Sequence, residues 1–211
     1  MGLRESKKLR TREEIADRAV QLFVTRGFDH VTVAEVAAAA GVSEKTVYNY
    51  FPTKEDLFFD EVPKREAALV EAIVRRELGE SILSALRRLQ LRDCGRMSSP
   101  GFGVFARTIE DSPALQAKEL VVMARFVHVL SGVIESALCI DERDANIAAG
   151  LLVSVHRQFF RAARKQALAG KHGPAAARRL RADLERAYDL LEHGLGHLEP
   201  SSQTTGAATS S

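Results

Sequence analysis

Apolar residues recur three and four positions apart along most of the chain, a spacing that predicts helices from end to end. In residues 11–26, Ile15, Ala19, Leu22 and Phe23 share one face with charges between them, as in an amphipathic helix, and Gly27 ends it. Thr32 with Glu35 three residues later forms a capping box that opens a short helix over 33–40, and Gly41 closes it. Ser43 caps a third short helix over 44–51. Pro52 stops that helix, because proline disfavours the α conformation in the residue before it.

Thr53, Glu55 and Asp56 start a fourth helix expected to reach about residue 77, bent between Phe59 and Lys64 because Pro63 removes a backbone donor. Ile82, Leu83, Leu86 and Leu89 predict a helix over 80–92, and the run Ser98, Ser99, Pro100, Gly101 breaks the chain after it. A short helix over about 102–109 follows. Ser112 and Pro113 then open a long helix to about 138, Asp141 opens another to about 169, and the last runs over about 175–198. The residues from 200 to 211 are small and polar and are expected to be disordered. The fold class is all-α, with about nine helices. A basic arm over 1–10 precedes a three-helix head over 11–57, whose helix-turn-helix spans about 32–51; a helical body over 58–199 and the tail follow.

Composition supports this picture: 45% hydrophobic and 27% charged residues without tryptophan suit a soluble helical protein. The net charge of +2, from 30 basic and 28 acidic residues, does not by itself argue for a nucleic-acid partner. Distribution says more. Arg4, Lys7, Lys8, Arg10 and Arg12 cluster beside the helix-turn-helix against Glu5, either as a solvated run or as a minor-groove or phosphate contact. Cys94 and Cys139 are too few for a disulfide framework and lack metal-type spacing, so both are expected to be buried and inert in a reducing cytoplasm. No uninterrupted apolar run approaches the roughly 20 residues a membrane helix needs, and no membrane partner is expected.

Function is written on the third helix. With Val47 and Phe51 turned inward, a helical period points Lys45 and Asn49 outward and sets Thr46 and Tyr48 on the flanks. Lys45 can donate to guanine or phosphate, Asn49 can pair with adenine, and Thr46 can meet a thymine methyl or a phosphate oxygen. Tyr48 and Tyr50 offer hydroxyls to phosphates. Lys54 sits in the first turn of the next helix, where backbone N–H groups also attract an anion.

The run Gly-Val-Ser-Glu-Lys-Thr-Val-Tyr-Asn-Tyr-Phe-Pro-Thr-Lys-Glu-Asp-Leu-Phe over 41–58 resembles the signature of the TetR family of bacterial transcriptional regulators. The resemblance extends through Ala-Val-Gln-Leu-Phe at 19–23, Gly27-Phe28, and Thr-Val-Ala-Glu-Val-Ala at 32–37, about sixty residues in all. It implies a DNA-binding head and an effector-binding, dimerising body. The homodimer would form through the last two helices, over about 142–169 and 175–198, and sit on double-stranded palindromic operator DNA. It further implies repression relieved by a small-molecule effector. Carried over by position, Thr46 and Tyr48 correspond to DNA contacts, Tyr50 and Lys54 to phosphate contacts, and Thr32 to a contact from the second helix. Lys45, Asn49 and Glu44 occupy positions that vary with operator. Two departures are Glu44, an acid at the start of the recognition helix, and Ala34, where some members carry a basic base-reading residue.

Phe105, Met123, Phe126, His156 and Phe159 are candidates to line an effector cavity in the body, with plain core packing as the alternative. The last two helices carry Leu151, Leu152, Val155, Phe159, Phe160, Leu180, Leu184, Leu191 and Leu195, more apolar surface than one helical pair needs, which a twofold partner would cover. His193 and His197 are four apart, yet no carboxylate or cysteine completes a metal site, and neither metal nor cofactor is expected. A helical-bundle enzyme is the rival class. No di-metal Glu-x-x-His set, activated nucleophile or phosphate loop supports it, so the chain is not read as an enzyme. The same head would equally serve an activator or a ligand-independent DNA binder.

Overall fold

The computed structural model describes residues 3–194 of the 211-residue chain, and among the described residues the regular structure is entirely helical, in ten segments. Leu3–Arg26 (α1), Val33–Ala40 (α2), Glu44–Tyr50 (α3) and Lys54–Phe58 (α4) form the head. Val62–Val74 (α5), Ile82–Met97 (α6), Pro100–Glu110 (α7), Pro113–Leu138 (α8), Glu142–Leu168 (α9) and Gly173–His193 (α10) form the body. The expected tail at 200–211, and Leu195, His197 and Leu198 of the last helix, lie outside the described residues.

The helix expected over 80–92 runs on to Met97, and two other boundaries differ from expectation for identifiable reasons. The arm over residues 1–10 was expected to precede a helix starting at Thr11, but α1 begins at Leu3. Good helix formers let it propagate from the buried segment without an apolar face of its own, and an Arg10–Glu14 pair one turn apart accompanies the extension. The expected fourth helix is two helices. Its break at residues 59–61 leaves Pro63 in the first turn of α5, where a missing N–H costs nothing, so the proline begins a helix rather than bending one.

The head has its own core: Ile15, Ala19, Phe23, Val36, Val47, Phe51 and Leu57 are buried together. That core also takes in Ile109 of α7 and Leu115 of α8, and Phe105 stacks on Phe58 with ring centroids 4.7 Å apart. Ser112 Oγ donates to Asp29 Oδ1 at 2.8 Å, and Lys118 pairs with Asp56 at 2.7 Å, so polar contacts join head to body as well.

A second core fills the body, built from Leu69, Ile73, Leu86, Phe126, Ile134, Leu152, Phe159, Leu180 and Leu184 among others. The leucine stripe of α10 is thereby covered by the chain's own helices, chiefly α6 and α9, and does not itself call for a second subunit. By length and composition alone α8 could cross a membrane, although Arg125 interrupts its apolar run. In this fold its inner face, including Val122, Phe126 and Leu130, belongs to the body core, and its Arg125 pairs with Glu66.

Candidate nucleic-acid interface

The turn between α2 and α3 is built from local hydrogen bonds. The Glu35 backbone N–H donates to Thr32 Oγ1 at 3.2 Å, while the Thr32 N–H and hydroxyl both donate to Glu35 Oε2, at 2.8 and 2.9 Å. The Thr32 backbone N–H, the Arg26 guanidinium and the Thr32 hydroxyl together hold the Glu35 carboxyl down to about 2. Gly41 ends α2 at φ 66°, a left-handed conformation that favours glycine, and its N–H reaches the carbonyls of Ala37 and Ala38. Ser43 then caps α3, its Oγ accepting from the Thr46 N–H at 3.1 Å and lying 2.8 Å from Thr46 Oγ1.

Val47 and Phe51 are buried, as their spacing requires, and this fixes the rotation of α3. Lys45, Tyr48 and Asn49 are exposed on the opposite side, and Thr46 is half-buried at its edge. Tyr48, a large aromatic residue, stands 49% exposed, so the monomer's packing does not account for its ring. Tyr50 is different: it is half-buried and packs against the head core.

Lys54 also turns inward. Its Nζ donates to the carbonyls of Phe28 and Val31, each at 2.9 Å, and sits 4.2 Å above the Phe28 ring centroid. Two of its three N–H bonds therefore tie the loop after α1 to α4, leaving one for an external acceptor. Thr32 has spent its donors on Glu35 in the same way. Of the seven residues singled out on the sequence, Lys45, Thr46, Tyr48 and Asn49 gather on one outer face of α3, while Thr32, Tyr50 and Lys54 are tied into the head's own framework. Arg12 joins that framework without having been singled out for it. Its guanidinium lies 4.6 Å over the Phe51 ring centroid and donates to the Asp60 carbonyl at 3.3 Å, a long-range pairing with no local sequence signal.

The five candidate effector residues are divided between the two cores. Phe105 belongs to the junction with the head, because α7 lays it on Phe58. Met123, Phe126 and Phe159 pack in the body core, and buried His156 lies 5.7 Å from the Phe126 ring. Burial, followed by the nearby Arg65 charge, pulls His156 down to about 3 and keeps its ring neutral. Arg65, Gln90 and Tyr188, which share that interior, lacked a periodic sequence signal that would mark them as a group. A separate cleft of about 670 Å³ opens where head meets body, lined by His30, Arg107, Asp111 and His172 among others and by none of the five. Cys94 is buried, which raises its thiol pKa; Cys139, expected to be buried, is exposed at the end of α8. Among the described residues no cluster of three metal-ligating side chains occurs, and His197 of the His193 and His197 pair lies outside them.

Residues 15–60 match the family of bacterial regulatory proteins named tetR. Over 85 residues the chain is 33% identical to the HTH-type transcriptional regulator TcmR of Streptomyces glaucescens, covering 40% of this chain and 38% of that protein. It is 38% identical over 71 residues to the nucleoid occlusion factor SlmA of Vibrio campbellii, covering 33% and 36%. The aligned segments thus span less than two fifths of either relative. In three dimensions the likeness is longer: the crystal structure of Thermus thermophilus FadR, a TetR-family transcriptional repressor in complex with lauroyl-CoA, superposes with a TM-score of 0.53 at 22% identity, covering 87% of this chain and 94% of that one. That identity establishes a shared fold and leaves chemistry open. Residues 15–60 thus carry the head of the TetR family of bacterial regulatory proteins, and the chain as a whole shares the helical fold of that repressor.

Proposed function

We propose that this protein is a sequence-specific DNA-binding transcription regulator that works in the cytoplasm as a homodimer on a palindromic operator, and that it represses until a small molecule enters its body. The observation that carries the reading is the outer face of α3, where Lys45, Thr46, Tyr48 and Asn49 stand together on a helix held by Val47 and Phe51. A helix of this kind inserts in the major groove, where Asn and Lys read base edges and hydroxyls hold phosphates.

Dimerisation rests on α9, where Ile147 and Leu151, one turn apart, are 57% and 52% exposed. Two apolar side chains in register on an outer face are suited to burial against a second copy. The ligand-responsive part rests on the contacts between head and body: Phe58 on Phe105, Asp29 with Ser112 and Asp56 with Lys118 offer mechanical links between an occupied body and the angle of the head. FadR, a repressor whose structure is in complex with lauroyl-CoA, is a precedent for a small molecule bound to a regulator of this fold. The likeness of the head to a nucleoid occlusion factor favours a second reading, a ligand-independent DNA binder.

The test is selection of bound duplexes from a random DNA pool by the full-length protein at physiological salt. The expected result is an enriched palindrome with half-sites about 34 Å or a small multiple of that apart. Asn49→Ala should relax preference at one position of each half-site, while Tyr48→Phe should weaken binding to all sequences by about 1 kcal/mol. Sequence-indifferent binding would overturn the operator reading.

A further inference from the structure

Four body helices bury polar groups in the interior of the body. Gln90 of α6, His156 of α9 and Tyr188 of α10 are 1%, 2% and 0% exposed, yet Gln90 Oε1, His156 Nδ1 and the Tyr188 hydroxyl have no hydrogen-bond partner among the described residues. Arg65 of α5 pairs with Asp93 of α6 through Nη1, while its buried Nε and Nη2 are likewise without partners. Folded proteins leave few buried polar groups unsatisfied, so five such atoms drawn from four helices form an unusual concentration.

The Arg65–Asp93 pair joins α5 to α6 and the Arg87–Asp189 pair joins α6 to α10, on either side of Gln90 in sequence and next to Tyr188, and the Arg65 charge is felt at both His156 and Tyr188. Its unpaired atoms are the side-on edge of the guanidinium: two parallel N–H bonds whose spacing matches the two oxygens of a carboxylate. The other groups can adapt to the same acceptor. A neutral imidazole can carry its proton on Nδ1, a half-turn of the Gln90 amide presents NH₂ in place of oxygen, and the Tyr188 hydroxyl donates. Apolar surface adjoins them, with the Phe126 and Phe160 rings 5.7 and 4.8 Å from His156. A groove of about 260 Å³ between α5 and α6, with Ala68 and Leu89 in its lining and Arg88 and Arg92 beside them, lies one helical turn from Arg65 and Asp93. Its lining carries Arg75, Arg88 and Arg92 against Glu71.

We propose that this cluster is the headgroup subsite of the effector site, and that the effector is a small organic acid whose carboxylate docks on the Nε and Nη2 edge of Arg65, with Tyr188 donating to it and the acid's apolar portion lying against Phe126 and Phe160. The inference rests on the ligand-responsive reading above and supplies the class of ligand. No bond is made or broken; the acid completes hydrogen bonds that the protein leaves open.

The experiment titrates the full-length protein calorimetrically with benzoate, 4-hydroxybenzoate and octanoate, each beside its uncharged amide, and repeats the titration on R65K and Y188F. Lysine keeps the charge opposite Asp93 but loses the two-pronged edge. The expected result is at least one acid binding tenfold or more tightly than its amide, with that preference lost in R65K. Y188F should weaken acid binding several-fold while raising the melting temperature by about 2–4 °C, because it removes a buried hydroxyl that has no partner. Failure of every acid to bind, equal binding of acids and amides, an undiminished preference in R65K, or a lowered melting temperature in Y188F would each overturn the proposal. The same titration repeated with operator DNA separates the two readings: acid binding that leaves DNA affinity unchanged upholds the subsite and removes ligand-released repression.

Discussion

The head and the body treat their polar groups in opposite ways. In the head, Thr32 with Glu35, Ser43 with Thr46, and Thr53 with Asp56 each satisfy one another within three residues, and Lys54 is taken up by two backbone carbonyls. In the body, Arg65, Gln90, His156 and Tyr188 come from four separate helices and bury atoms that find no partner among the described residues. Local closure makes the head a self-contained frame whose outer face is set before any partner arrives. The body keeps its unmet chemistry inside, where a ligand rather than a surface would have to supply the missing groups.

The contrast is broken most severely through the head's core. Phe51→Ala should cost about 3–5 kcal/mol and release α3, because the side chain is buried at the centre of a small cluster. Hydrogen exchange should then show lost protection over 33–50 with α8 and α9 still protected. Equal loss in both would mean that the Phe58–Phe105 stack makes head and body one cooperative unit.

Lys54→Met should destabilise the head by about 2 kcal/mol in urea unfolding, since two charge-assisted hydrogen bonds to carbonyls disappear. Unchanged stability with weakened DNA binding would instead assign the ammonium to a phosphate.

In the body, acid should act through His156, whose pKa falls from 6.5 to about 3 on burial. The unfolded chain binds this proton first, so stability falls as pH drops below about 6.5, by up to about 1.4 kcal/mol per unit. Above pH 4.5 the carboxyl of Glu35, held down to about 2, is outside its own window and does not contribute to the slope. Denaturation of His156→Phe between pH 7 and 4.5 should lack the part of the slope that the wild-type histidine supplies; an identical slope would remove His156 as the acid-sensitive group.

Thr32→Ala should cost about 1 kcal/mol by uncapping α2, read as a shift in the urea midpoint.

The stop at Gly41, the caps at Thr32, Ser43 and Thr53, and the inward turn of Val47 and Phe51 were legible in the sequence because each depends on residues within a turn or so of the helix. The outward positions of Lys45 and Asn49 follow from the same period. The packing of Tyr50 on the head core and the bonds of Lys54 to the Phe28 and Val31 carbonyls are not legible there, because their position beside the recognition helix says nothing about what α1 and the loop after it bring near them. Phe105 was grouped with Phe126 and Phe159 for its type, and only the path of α7 separates them. Tyr188 stands one turn beyond Leu184 on the stripe of α10, yet its spacing does not reveal that its hydroxyl lacks a partner or that Arg65 lies within reach.

By itself the sequence determined the helical class, the boundaries of the short head helices and the face that α3 presents, since helix period and capping are settled by neighbours along the chain. Only the tertiary structure decided that Leu180 and Leu184 of α10 are covered from within the chain, that Lys54 turns inward, and that Arg65, Gln90, His156 and Tyr188 all bury polar atoms inside the body. Those outcomes depend on which helices cross and at what points, and side chains from helices far apart in sequence become neighbours only when the whole core has packed.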